Sequence, residues 1–168
     1  MSILYTASVV LHLTAVLIWI GGTLFIALVL FPVVRRLQPP DLGSRIVREV
    51  GLRFRLVGWA CIGVILVTGL VNLLAHGIPF GHLFTWAFWT TTFGRTLAVK
   101  LSLVVAVLLL SIFHDFVLGP RAARLAREGN PAARGVRRAV NILARVNVIL
   151  MVAIVAAAVV LVRGLPRA

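Results

Sequence analysis

TLAVKLSLVVAVLLLSIFHDFVL, Thr96 to Leu118, followed by GPRAARLAR, Gly119 to Arg127, decides how this chain is read. The first part is an apolar run of the ~20 residues that a helix needs to cross a hydrocarbon core about 30 Å thick. The second is a basic stretch opened by a Gly-Pro pair, the kind of segment that stays on the cytoplasmic side of a bilayer. An apolar run stopped by arginines predicts a span and also its direction.

Three further segments have the same apolar character: Leu4 to Val34, Leu56 to Ala75 and Val140 to Val162. The first ends where Pro32 precedes Arg35 and Arg36, with Pro39 and Pro40 marking a loop. Of the 17 basic residues, 13 lie between Arg35 and Arg55 or between Arg121 and Arg145, and Leu74 to Gly94 has none. This alternation predicts an all-α integral membrane four-helix bundle of antiparallel up-down topology, one domain over residues 1–168. Both basic loops are expected in the cytoplasm and both termini outside, in a bacterial-type inner (plasma) membrane.

Composition excludes other classes. With 61% hydrophobic residues and four acidic side chains among 168, the chain is far from a soluble domain, and the lipid bilayer is its first partner. A formal charge of +13 could suggest nucleic acid, but no aromatic stacking platforms are interleaved with the arginines. Anionic headgroups are better matched to them, at roughly 1 kcal/mol per basic residue near the surface. Cys61 is the single cysteine, which rules out an internal disulfide. The amino terminus lacks a basic leader region and reads as a retained first helix.

The loops differ in kind. Leu42 to Arg55 predicts an amphipathic helix at the headgroups with Ile46, Val47 and Val50 inward, and Gly129-Asn130-Pro131 predicts a turn in the second basic loop. His76 to Gly94 carries Phe80, Phe84, Trp86, Phe88, Trp89 and Phe93, an interfacial aromatic belt that can also cover an outward-facing site. The basic loops after the first and third spans hint at two related hairpins, but no residue pattern repeats well enough to define a duplication.

Polar side chains in a bilayer need a partner or a purpose, and here they fall on helical stripes. Lys100, Val104, Val107, Ser111 and His114 share one face of the third span; Cys61, Ile65, Thr68, Asn72 and His76 share one of the second. His12, Trp19, Gly22 and Ile26 share a face of the first. Counting about 20 residues back from each basic loop brings His12, His76 and Lys100 to one level near the outer boundary, within reach of His82. At the inner boundary Asp115 and Arg145 are expected to pair.

Neutral imidazoles bind haem iron or copper, so His12, His76 and His82 are candidate metal ligands. A haem b would take His12 and His76 axially, with Lys100 near its propionates and Trp19 packing beneath. Cu(I) transport favours soft sulfur ligands, of which only Met1, Cys61 and Met151 are present, so on residue chemistry haem or Cu(II) capture ranks ahead of a Cu(I) channel. No catalytic set is read from the residues, and a homo-oligomer or a redox partner stays open.

Three stretches resemble the membrane domain of the copper-resistance protein D family. They are His12-Leu-Thr-Ala-Val-Leu-Ile-Trp19-Ile-Gly21-Gly22, then Arg53-Phe-Arg55 with Thr68-Gly69-Leu70, then Gly94-Arg95-Thr-Leu-Ala-Val-Lys100. The resemblance implies copper uptake or tolerance at a bacterial inner membrane. The chain is also similar to the membrane protoporphyrinogen oxidase family, whose first-helix His and third-helix Lys map onto His12 and Lys100. Copper handling and haem-based redox chemistry therefore stand side by side at this point.

Overall fold

The computed structural model describes residues 3–75 and 80–163. It is helical throughout, with no strand among the described residues, and four of its helices are long and apolar enough to cross a membrane. They are α1 (Ile3–Val34), α2 (Pro40–Ala75), α4 (Thr92–Arg127) and α5 (Ala133–Arg163); a 3-10 turn, Phe80–Phe84, and a short α3, Trp86–Thr90, lie between the second and third. The chain folds as two compact units, Met1–His82 and Leu83–Ala168, each built on one helical hairpin.

In the first hairpin, α1 and α2 touch where small residues meet large ones. A Cβ on Gly22 would overlap the ring of Phe54, and a Cβ on Gly58 would sit 3.6 Å from Trp19 Cδ1. Ser8 Oγ reaches the Thr68 carbonyl at 3.5 Å. As contacts climb from residue 8 to 22 on α1, their partners descend from 68 to 54 on α2, as an antiparallel pair requires. Lipid tails are as apolar as leucine, so helix association depends on such close packing rather than on the hydrophobic effect. The outer faces carry exposed Leu17, Leu56 and Val67, side chains suited to lipid.

Both hairpins solve the same backbone problem in the same way. Proline lacks an N–H and its ring clashes with the carbonyl four residues back, which would break an ordinary helix. Before Pro32 the helix widens to a π stretch, Ile26–Leu30, closed by Phe31 N–H donating to the Ile26 carbonyl. Before Pro120 it widens again over Phe113–Leu118, closed by Gly119 N–H donating to the His114 carbonyl. The carbonyls that the proline rings would strike, those of Leu28 and Phe116, lie inside these stretches. A shared pattern then emerges that sequence reading misses: Val29-Leu30-x-Pro32 and Val117-Leu118-x-Pro120, each with an Arg four residues after the proline.

Three boundaries differ from expectation. The Leu42 to Arg55 segment is not a separate headgroup helix but the start of α2, because Gly51 alone, at ~1 kcal/mol, is too weak a break. The third span passes through Gly119-Pro120 and ends at Arg127, since the π stretch accommodates the proline. The fourth helix begins at Ala133. The turn expected at Gly129 is present: Gly129 takes φ 62°, its N–H and that of Asn130 bond to the Ala126 and Leu125 carbonyls, and Asn130 Oδ1 accepts from Ala132. This is a glycine-terminated helix end followed by proline.

In the second hairpin, α4 and α5 bury Val107 and Met151, and Asn147 Nδ2 donates to Ser111 Oγ at 3.2 Å. Thr91 caps α4 by accepting from Gly94 N–H at 2.9 Å. The aromatic segment packs on itself: Trp89 Nε1–H donates to the Leu83 carbonyl, and Phe88 meets Trp89 and Phe93 edge to face. Phe84 and Trp86 remain exposed, as belt residues are.

Gly22→Leu should destabilise the first hairpin by about 1–3 kcal/mol through overpacking. Phe54→Ala should recover part of that loss in the double variant, measured by reversible unfolding in mixed detergent micelles. Additive losses would show that the two positions do not meet.

Candidate functional site

His12 stands on α1, about 20 residues or ~30 Å of helix before Pro32, far from the basic end of its hairpin. It is half-buried, and its Nδ1 lies 2.8 Å from Thr68 Oγ1 on α2. Thr68 is buried, and its hydroxyl already donates its one hydrogen to the Val64 carbonyl at 2.6 Å. The threonine oxygen then accepts, so His12 Nδ1 carries the hydrogen and, in the neutral ring, Nε2 holds the lone pair. A histidine prepared to ligate has this arrangement, with one nitrogen held by an oxygen partner and the other carrying the electron pair.

Gly69 completes the seat. A Cβ there would stand 3.4 Å from His12 Cε1, the carbon between the two ring nitrogens, so a larger side chain would push against the ring. The dipeptide Thr68-Gly69 thus supplies both the hydrogen-bond acceptor and the space. Trp19 lies two turns further along α1 against Gly58, and its carbonyl accepts from Thr23 Oγ1 at 2.8 Å. Its contacts in this hairpin are those of packing.

The other expected site residues fall as follows. His76 lies outside the described residues. His82 is exposed on the 3-10 turn Phe80–Phe84. Lys100 is half-buried on α4, one turn from the buried Leu97, in the second unit. Among the described residues no three His, Cys, Asp or Glu side chains gather as a ligand set. Asp115, expected opposite Arg145, lies against the imidazole of its own neighbour His114 at 2.8 Å. A carboxylate adjacent in the chain reaches the ring without any helix-to-helix alignment, which a pair with α5 would need.

Thr68 is the residue that sequence reasoning passed over. It was visible on the polar stripe of the second span and beside a glycine, but its partner could be named only once α1 and α2 were in register.

A helical chain with four candidate spans defines a polytopic membrane protein, and its first hairpin carries a half-buried imidazole oriented by a threonine. The chain belongs to the copper resistance protein D family, whose family model matches residues 48–161. It is 31% identical over 113 residues, 67% of this chain and 68% of the relative, to an uncharacterized protein of Aquifex aeolicus (strain VF5). No solved structure matches it. The family match includes Thr68, Gly69 and Lys100, while His12 and Trp19 precede it.

Thr68→Val should leave the Nδ1–H of His12 without its acceptor and cost about 1–3 kcal/mol of stability. Thr68→Ser, which keeps the hydroxyl, should restore most of it. Equal stability of the Val and Ser variants would remove the hydrogen bond from the account.

Proposed function

We propose that this protein handles copper, in uptake or homeostasis, at the outer face of a bacterial-type inner membrane, with His12 as the receiving ligand. Family membership supplies the link to copper. The observation that carries the residue assignment is the His12–Thr68 hydrogen bond, which makes Nε2 the lone-pair atom of the ring. Copper is cargo in this reading, and borderline imidazole nitrogen suits it in either common oxidation state.

The topology that goes with this reading has four antiparallel spans, both basic segments cytoplasmic and both termini outside. Positive-inside counting supports it, because the arginines cluster at the Pro32 and Pro120 ends of their hairpins. In this reading His12 lies near the outer boundary, and His82, exposed and in the same unit, is a candidate for a second nitrogen ligand, as is His76, which lies outside the described residues. The pair of imidazole nitrogens that would serve copper could equally clamp a haem b, so the experiment must separate the two.

Purified full-length protein in lipid nanodiscs should bind copper and show no Soret band. His12→Ala should lower copper occupancy at least tenfold, whereas Thr68→Val should weaken it by roughly 10–100-fold through loss of ligand orientation. A Soret band that His12→Ala abolishes would replace copper with haem. Copper binding that is indifferent to both substitutions would end the assignment to His12.

A further inference from the structure

The second hairpin contains an imidazole prepared in the same manner, at the opposite end of its span. His114 sits on the π stretch Phe113–Leu118, a few residues before Pro120 and the basic stretch that follows it. Its Nδ1 lies 2.8 Å from Asp115 Oδ1, and a carboxylate can only accept, so Nδ1 carries the hydrogen and, in the neutral ring, Nε2 holds the lone pair. Among the described residues that Nε2 meets no hydrogen-bond or ion-pair partner. The two side chains are 34% and 23% exposed, so the pair is reachable and still partly shielded.

The backbone does not require this pair. In the first hairpin the equivalent π stretch is closed by the carbonyl of Ile26, followed by Ala27; in the second it is closed by that of His114, followed by Asp115. The same widening before proline is thus built once from apolar residues and once from an imidazole and a carboxylate. Ionisable groups beside an apolar span are costly, and a chain with only four acids has placed one of them here. A carboxylate behind a histidine is the arrangement that fixes the orientation of a ligating ring. π stretches are also frequent at functional sites in helices.

We propose that His114, oriented by Asp115, is a second ligand for the copper ion, at the basic end of the second hairpin. The proposal rests on the copper reading given above. With the basic end of the second hairpin in the cytoplasm, as positive-inside counting has it, His114 would lie near the inner boundary and act there as a release point. A single protein nitrogen with the remaining positions filled by water binds weakly, and passage requires sites that an ion can leave. Asp115 acts here as a positioning residue and adds one negative charge near the ion. Binding forms an Nε2–metal bond from the ring's lone pair, with loss of a water from the ion and no change in oxidation state.

Silver(I), a redox-inert stand-in for Cu(I), provides the test. The full chain, labelled with ¹⁵N-histidine in nanodiscs, is titrated with Ag(I) at neutral pH, with His12→Ala and His114→Ala used to assign the ring nitrogens. The Nε2 resonances of His12 and His114 should both move, that of His114 at higher silver concentration. Asp115→Asn should raise the midpoint at His114 by roughly 10–100-fold and leave that of His12 unchanged. A His114 resonance that stays put while His12 saturates overturns this inference and leaves the copper reading intact. If neither ring responds to Ag(I) and neither is broadened in a parallel titration with paramagnetic Cu(II), the copper reading fails and this proposal with it. An equal loss at both rings in Asp115→Asn counts against a positioning role for the carboxylate. These readouts come from the unsubstituted ring, so a poorly folded His114→Ala variant would not prevent a decision.

Discussion

The close approach of α1 and α2 is the constraint on which the candidate site depends. In lipid no hydrophobic force drives two apolar helices together, so they associate where glycine on one admits a bulky ring from the other. Gly22 receives Phe54, Gly58 lies against Trp19, and Gly69 leaves room for His12. The third of these contacts does more than pack. It brings an imidazole within hydrogen-bond distance of Thr68, so the register set by the other two contacts also sets the protonation pattern of the ring. Packing and the hydrogen bond share one helix face here, so a change to either disturbs the other.

The prolines form a second organising element, repeated in each hairpin. Pro32 and Pro120 would each end a helix, and a π stretch before each, closed by one bond five residues long, lets the chain continue past the ring. In a bilayer that solution matters, because a freed carbonyl has no water to turn to. The repetition relates two hairpins whose side chains otherwise share little. It also isolates their difference: Ile26-Ala27 occupies the first turn and His114-Asp115 the second, on the same backbone device. A polar pair that the fold can do without is where a search for chemistry should begin.

Charge has two roles in this chain. The arginines cluster beyond the apolar runs, where positive-inside counting reads orientation, while His12, His114 and Asn147 within the spans are each held by a threonine, carboxylate or serine partner. Family membership adds copper to this picture without saying which atoms meet it. The matched region begins at residue 48, so the helix carrying His12 lies before it, whereas the Thr68-Gly69 seat lies within. The seat and its occupant therefore come from different sides of that boundary.

The number of spans, their helical character and the family were legible in the sequence, because hydrocarbon thickness sets span length and arginine cannot remain in the core. Helix ends were less legible: α2 begins at Pro40 and α4 reaches Arg127, since amphipathic segments continue a helix without interruption and a π stretch hides a proline. Polar stripes placed Thr68 on the right face of the second span but could not give it a partner, because periodicity describes one helix at a time. Only the packing of α1 on α2 decided that Thr68 meets His12, and through which nitrogen of that ring. A local choice decided the other case: the carboxylate expected to reach Arg145 across two helices found His114 beside it instead. Side-chain direction around a helix follows from sequence, but its rotation against a neighbour depends on which small residues allow contact, and that is a tertiary property.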